Sequence, residues 1–256
     1  MFDADKTKQT RIKYGQSAAS FFLVLIGLIL LLLFSLAFSV CIGIAGGNIR
    51  ILADAIMHPV SASDIGKIMI DMRIPRALAA CLTGAAFALA GAVMQGLTRN
   101  PLADAGLLGI NAGAGLFFAL SVALLPSASS IITIFSAFVG ASFAVILVYG
   151  FGAGKRKTES FRLILAGASV SLVGGISFLG LIVPHTARFL VGGDYRRIMP
   201  VSALLGGVVL VLADVAARTV NAPFDTPVGA LVSIIGVPIF FALTYRKGQG
   251  HCEKNI

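Results

Sequence analysis

SFLGLIVPHTARFLVGGDYRRIMP, residues 177–200, joins two strongly apolar runs through a short polar segment. The polar segment carries His185, Arg188, Asp194, Arg196 and Arg197. Charged side chains and irregular backbone are costly in hydrocarbon, so we expect this segment to lie at or beyond a membrane face, where it can contact a soluble partner. An ordinary basic loop that obeys the positive-inside rule is the alternative, and composition alone favours it. The order of the residues favours a more specific role.

The composition of the chain is typical of an integral membrane protein. Hydrophobic residues make up 57% of the sequence, charged residues make up 12%, and the mean hydropathy is +0.96. An average soluble domain is less apolar and about twice as charged. A chain of 256 residues has room for about six to eight spans of ~20 residues, and none for a separate soluble domain. We therefore predict an all-α fold, a polytopic helical bundle with about seven apolar segments.

The predicted bundle covers residues 21–245, between a basic tail at 1–20 and a basic tail at 246–256. The net charge of +9 lies in short segments that flank apolar runs. This distribution is typical of topology signals and not of a nucleic-acid surface. We place the N-terminal tail in the cytoplasm. The apolar run that follows is too long for the core of a signal peptide, so we interpret it as an uncleaved first span.

The cysteines and histidines are few and scattered. The cysteines are Cys41, Cys81 and Cys252, and the histidines are His58, His185 and His251. Neither set has the spacing of a disulfide framework or a metal site, so we predict no metal and no cofactor. A GFGAGK stretch at 150–155 resembles a phosphate loop, but it is one residue short and lacks the Ser or Thr that binds magnesium.

Seven apolar segments are predicted as spans, and the region 49–72 is predicted as an amphipathic connection outside the membrane. The segments are residues 21–44, 77–97, 102–125, 131–151, 161–183, 201–217 and 228–245. We expect the fifth to break at Pro184, and Pro200 to close the polar loop. In the sixth, Asp214 and Arg218 are four residues apart and can pair on one helix face.

Small residues indicate close helix packing in the second and third spans. Gly84, Ala88, Gly91 and Gln95 recur at spacings of four, three and four, so they share one helical face. Gln95 then either forms a hydrogen bond between helices or lines a path. The further candidates for packing or path lining are Asn100 and Pro101, which should end the second helix, and Gly109, Asn111 and Gly113.

Three long blocks, residues 73–115, 177–200 and 202–243, resemble the FecCD-type permeases of iron-siderophore, haem and vitamin B12 ABC importers. The quoted GLIVPH and GGDYRR motifs fall in the second block. The resemblance implies a permease that lines the path of a metal chelate and is not itself an enzyme. It also implies that residues 181–200 form a cytoplasmic coupling loop that fits an ATP-binding subunit. The matching loop residues are Pro184, His185, Arg188, Gly192, Asp194, Arg196 and Arg197.

The resemblance implies partners on both sides of a bacterial cytoplasmic membrane. An ATP-binding subunit dimer would bind inside, and a substrate-binding protein would dock outside on Arg73, Arg76 and Arg218, whose planar groups suit carboxylates. Interfacial anchoring is the alternative for the first two arginines. The permease would be a homodimer or would pair with a related permease. An iron-siderophore is the expected substrate, with haem and cobalamin as alternatives.

Two other classes of function stay open. A secondary transporter or channel usually carries ionisable residues at mid-span, and the predicted span centres here are nearly free of them. This favours an external energy source. A non-transporting membrane protein is supported only by the apparent incompleteness of the chain.

The incompleteness follows from counting crossings. With the N-terminus inside, a single crossing by residues 161–183 would put the coupling loop outside, against the positive-inside rule. LILAGAS, residues 163–169, resembles the start of the fifth family span, and GISFLGLIVPH, residues 175–185, resembles the end of the eighth. We therefore predict an internal deletion of middle helices from a family that usually has ten. Residues 161–183 should be a misoriented single crossing or a re-entrant hairpin that keeps the loop cytoplasmic.

Overall fold

The computed structural model of the chain consists of α-helices in the parts that it describes. These parts are residues 18–43, 46–58, 62–100, 103–104, 109–152, 178–220 and 226–234, with 236 and 238. The helices are α1 (Ala18–Cys41), α2 (Ile49–Met57), α3 (Asp64–Ile68), α4 (Ile74–Leu97), α5 (Ile110–Leu124), α6 (Ser130–Gly152), α7 (Leu179–Val191) and α8 (Tyr195–Thr219). Residues 69–73 form a π-helical turn that joins α3 to α4, and residues 228–234 are helical. No strand occurs within these ranges, and the all-α prediction is confirmed.

Four helices are long and apolar enough to cross a membrane: Ala18–Cys41, Asp64–Leu97, Ser130–Leu147 and Tyr195–Thr219. Two shorter apolar helices are Ile110–Leu124 and Leu179–Val191. The span predicted at 228–245 is described only at its beginning, and most of residues 161–183 lies outside the described parts. The predicted spans correspond to observed helices over most of their described residues. The third span is shorter than predicted, because residues 103–104 are not helical and α5 begins at Ile110.

Helices α1, α4, α7 and α8 pack together into one group. Its most extensive contact joins α4 to α8, where a Cβ atom on Gly84 would overlap the carbonyl of Gly206. Helices α4 and α7 are also close, since a Cβ on Gly91 would overlap the carbonyl of Gly180. Residues without side chains let helix backbones approach closely in a membrane. The predicted small-residue face of α4 is confirmed, since Gly84, Ala88, Gly91 and Gln95 are all buried.

Helices α5 and α6 form a separate hairpin. A Cβ on Gly113 would overlap the carbonyl of Gly140, and the Ser136 hydroxyl donates to the Phe117 carbonyl at 3.1 Å. Gly113 therefore packs as predicted. Gly109 is buried and precedes α5 with φ of +73°, a left-handed backbone that glycine adopts without strain. Asn111 lies in the first turn of α5 and is partly exposed.

The four-helix group has two distinct ends. At the first end, which we call the loop end, the beginning of α1 meets the end of α7 and the beginning of α8. There the Arg197 guanidinium lies 5.5 Å from the centre of the Phe21 ring. At the opposite end, which we call the arginine end, Arg218 of α8 bonds to Ser39 of α1, and Arg76 of α4 bonds to Asp214 of α8. Residues 192–194 thus lie at the same end as the beginning of α1.

The structure differs from three expectations. A misoriented crossing by residues 161–183 would put residues 192–194 at the arginine end, and the structure has them at the loop end. The predicted break at Pro184 is wrong, because α7 continues through it to Val191. A proline inside a helix removes one backbone hydrogen bond, and buried neighbours on both sides hold this helix together. Pro200 does not close the loop either, since α8 already begins at Tyr195.

Candidate functional site

A left-handed residue and a helix cap shape the polar segment at the loop end. Gly192 ends α7 with φ of +85°, and its N–H donates to the Arg188 carbonyl at 3.0 Å. The Asp194 carboxylate then accepts from the Arg196 N–H at 3.0 Å and caps the beginning of α8. Capping satisfies backbone donors that have no partner inside a helix. The segment is therefore a tight turn between two helices.

Aromatic rings hold two of the predicted coupling arginines. The Arg188 guanidinium donates to the Tyr195 hydroxyl at 2.8 Å and lies 5.5 Å from the centre of that ring. Arg197 lies over Phe21 as described above. Arg196 and Asp194 are exposed at the tip of the turn. The turn thus presents fixed positive charges beside Phe189, whose side chain is 82% exposed.

The remaining predicted loop residues lie deeper. Pro184 is buried inside α7, and His185 is partly buried one residue later. The residues that the structure brings to the surface of the turn are accordingly those from Arg188 onward. Tyr195 and Phe189 were not identified from the sequence, although an aromatic residue between basic ones is a usable signal for a cation–π contact.

A carboxylate links two helices at the arginine end. Asp214 Oδ1 accepts from Arg76 Nε at 2.9 Å, and Asp214 Oδ2 lies 3.0 Å from Arg218 Nη2 as an ion pair, without the angles of a hydrogen bond. Arg218 Nη2 also donates to the hydroxyl of Ser39 at 2.8 Å. The Asp214 side chain is 7% exposed and that of Arg218 is 11% exposed. The predicted pairing of Asp214 with Arg218 is confirmed, and Arg76 and Ser39 extend it into a network across three helices.

Arg73 is also turned inward. Its guanidinium donates to the carbonyls of Val40 at 3.2 Å and Cys41 at 3.4 Å, at the end of α1. The last carbonyls of a helix have no partner within it, and a nearby cation stabilises them. The guanidinium passes so close to Gly43 that a Cβ there would lie 2.7 Å from Arg73 Cζ. Of the three arginines predicted to dock a binding protein, Arg76 alone has a side chain that is substantially exposed, at 41%.

Gln95 connects the buried face of α4 to α7. Its Nε2 atom donates to the carbonyls of Leu181 at 3.2 Å and Gly180 at 3.4 Å. The interhelical hydrogen bond considered from the sequence is therefore present. Asp104, which was not identified from the sequence, is buried beside Gly180. Helix α4 ends at Leu97 as expected; Asn100 is exposed, and Pro101 lies outside the described residues.

No group of three His, Cys, Asp or Glu side chains that could hold a metal ion occurs in the parts of the chain that the structure describes. The site consequently offers arginines, hydrogen-bonding carbonyls and aromatic rings. Such groups bind proteins and anions through charge and planar hydrogen bonding.

These helices are those of a multi-pass integral membrane protein, and the comparisons place it in the ABC permease class. The chain belongs to the FecCD transport family, whose model matches residues 29–173 and 164–246. The family consists of transporter permease subunits, which are not enzymes themselves, and its transport systems include an ATP-binding subunit and a substrate-binding protein.

Among individual relatives, the chain is 32% identical to the iron(3+)-hydroxamate import system permease protein FhuB of Bacillus subtilis, over 96% of this chain and 88% of the relative. It is 30% identical to the Fe(3+) dicitrate transport system permease protein FecC of Escherichia coli, over 70% of this chain and 83% of the relative. A chain of a metal-chelate type ABC transporter, solved in an inward-facing conformation, has the same fold with a TM-score of 0.58 and 21% identity, covering 87% of this chain and 99% of that chain.

The match to the Bacillus hydroxamate permease extends over 340 aligned positions, although this chain has 256 residues. Positions of the relative inside that alignment therefore have no counterpart here. The family model also matches in two stretches and not in one continuous stretch. Both features agree with the predicted loss of residues between the fifth and eighth spans.

Proposed function

We propose that this chain is the membrane-spanning subunit of a bacterial importer for an iron(III) chelate, coupled through its loop end to a separate ATP-binding subunit. The observation that carries the proposal is the capped, basic turn at residues 188–197, which lies at the same end as the beginning of α1. The basic tail before α1 favours a cytoplasmic location for that end. Relatives that import iron hydroxamate and iron citrate favour an iron(III) chelate as the substrate class.

The coupling role predicts a specific effect of charge reversal at the turn. Arg196→Glu changes an exposed side chain that helps neither to hold α7 nor to hold α8. A like charge placed against a complementary surface costs several kcal/mol, so retention of the ATP-binding subunit should fall by at least about tenfold. Co-purification from membranes measures this, with the subunit from the same importer as the probe.

Arg50→Glu is the matched control for that test, because Arg50 is an exposed arginine in α2, near the arginine end. We expect the Arg50 variant to retain the ATP-binding subunit fully. The coupling role would be contradicted if the ATP-binding subunit were retained equally by the unchanged chain and by the charge-reversal variants of Arg188, Arg196 and Arg197.

We also propose that the arginine end receives the substrate-binding protein, with Arg76 in direct contact and with Arg73 and Arg218 holding the helices beneath it. The exposure of Arg76 supports this division, because a docking group has to be reachable by a carboxylate. Arg76→Glu should weaken capture of the binding protein by at least about tenfold, and a Glu→Arg change on that protein should restore part of it. Surface plasmon resonance on the purified chain measures the affinity, and native affinity of the Arg76 variant would contradict the assignment.

Dimer formation and transport complete the proposal. From the resemblance to the family we infer a homodimer or a pair with a related permease in the bacterial cytoplasmic membrane. Uptake of radioactive iron(III) hydroxamate into vesicles that hold the whole importer tests transport by this shortened chain. Haem and cobalamin are tested as alternative substrates in the same assay. Uptake of haem or cobalamin without uptake of the iron(III) hydroxamate would contradict the proposed substrate class.

A further inference from the structure

Pro184 creates an open hydrogen-bond acceptor in α7. A proline has no backbone N–H, so the carbonyl four residues earlier, that of Gly180, lacks its donor within the helix. Gly180, Leu181 and Pro184 are all buried, which keeps solvent from supplying the donor. A buried backbone carbonyl in a membrane protein needs a partner from elsewhere in the chain.

Gln95 of α4 supplies that partner. Its Nε2 atom is within 3.4 Å of the Gly180 oxygen and 3.2 Å of the Leu181 oxygen, and the side chain is 1% exposed. The Gly91–Gly180 contact brings the two backbones close enough for a glutamine to reach across. The sequence features noted separately, a glycine face on α4 and a proline in α7, therefore act on the same carbonyl.

The orientation of the amide indicates that donation is its function. Turning the amide over would place its oxygen against two carbonyl oxygens, which repel it. In the orientation observed, Gln95 Oε1 has no hydrogen-bond partner among the described residues. The buried Oε1 atom is thus left without a hydrogen bond while Nε2 donates to two backbone carbonyls of α7. A buried acceptor without a hydrogen bond is destabilising, so the donation to α7 has to outweigh that loss.

We propose that Gln95 is a positioning residue for the loop end: its amide takes the acceptor that Pro184 leaves open, and so fixes the depth and rotation of α7 on α4. One residue after Gln95, Gly96 lies against the Tyr195 ring, where an added Cβ would come within 3.0 Å. The same turn of α4 therefore contacts the helix before the loop and the first residue of α8. The importance of this for coupling rests on the function proposed above, whereas the contact itself does not.

The chain has no tryptophan, so Tyr195→Trp introduces a single fluorescent reporter at the loop end. In this background we compare Gln95→Met, Pro184→Ala and the double variant in detergent micelles, and measure iodide quenching of the tryptophan. Gln95→Met should raise the quenching constant by at least about twofold through local opening. In the Pro184→Ala variant, the N–H of residue 184 can donate to the Gly180 carbonyl. Adding Gln95→Met to that variant should therefore raise the quenching constant by less than about a quarter of the rise that Gln95→Met causes alone.

Thr98→Val is the control, because the Thr98 hydroxyl donates to Met94 within α4 and its loss leaves α7 untouched. If Gln95→Met does not insert, Gln95→Asn makes the same test, since it keeps the amide and shortens its reach. Unchanged quenching in the Gln95 variants, or an equal effect with and without Pro184, would overturn the proposal. ATPase stimulation is measured in parallel on the same variants with Tyr195 retained, because its hydroxyl accepts from Arg188. A quenching effect that Pro184→Ala removes would support the contact. If ATP coupling were unchanged in the same variants, the result would contradict the coupling role of the loop.

Discussion

The arginine end and the loop end place their charges in opposite ways. At the arginine end, Asp214, Arg73 and Arg218 are turned into the bundle and hold helices to one another. At the loop end, Asp194 and Arg196 are exposed, and the Asp194 carboxylate accepts a hydrogen bond from within the turn. Buried charge fixes helices, because removing one partner leaves the other without compensation. Exposed charge contributes little stability and is available to a partner.

The largest expected effect comes from removing the carboxylate at the arginine end. Asp214→Asn leaves the Arg76 and Arg218 guanidinium groups without their anion, which should lower the free energy of unfolding by about 3–5 kcal/mol. Urea or heat unfolding in detergent, followed by circular dichroism, measures the loss.

Asp194→Asn is the matched change at the loop end. Asparagine caps a helix about as well as aspartate, so this variant should differ from the unchanged chain by less than about 0.5 kcal/mol. Equal losses in the Asp194 and Asp214 variants would remove the distinction between the two ends.

A smaller effect is expected at the end of α1. Arg73→Met removes the guanidinium that donates to the Val40 and Cys41 carbonyls, and hydrogen bonds to a charged group contribute about 1.5–3 kcal/mol. Hydrogen exchange in the last turn of α1 should become faster, as measured by mass spectrometry. Arg50→Met, which changes an exposed arginine nearby, should leave that exchange rate as it is. An unchanged rate in the Arg73 variant would show that the cation does not hold this helix end.

The smallest effect is expected in the middle of the bundle, between the two ends, where α4 packs on α7. Gly91→Ala introduces a methyl group against the Gly180 backbone, and overpacking of this kind costs about 1–3 kcal/mol. Gly27→Ala is the control, because nothing lies within 4 Å of a Cβ at Gly27. That variant should be as stable as the unchanged chain or slightly more stable, since alanine is the better helix former. Similar unfolding curves for the Gly91 and Gly27 variants would contradict the close packing of α4 on α7.

Local patterns in the sequence predicted the helices, the glycine face of α4 and the Asp214–Arg218 pair. The helices were predicted from long apolar runs. The glycine face and the ion pair depend on spacings of three or four residues, which the helical repeat converts into a shared face. The bond between Arg76 and Asp214 joins residues 138 apart. No spacing rule relates such residues, so the arginine network could not be predicted without the packing of α4 on α8.

The error at Pro184 has a related cause. Proline ends helices in the general case because it removes a donor and crowds the preceding turn. Here the missing donor is replaced by Gln95, 85 residues away from the Gly180 carbonyl that it serves. The continuity of α7 is thus a property of the packed bundle and not of the local sequence.

The number of residues between two helices that pack together also sets the order in which they can pack during synthesis. The α5–α6 hairpin closes between residues 19 apart, so it can form as soon as it enters the bilayer. Asp214 is synthesised 138 residues after Arg76, and this synthesis takes roughly 7–28 s at bacterial translation rates. Over that interval the glycine face of α4 and the positive charge of Arg76 are in or beside the membrane without α8.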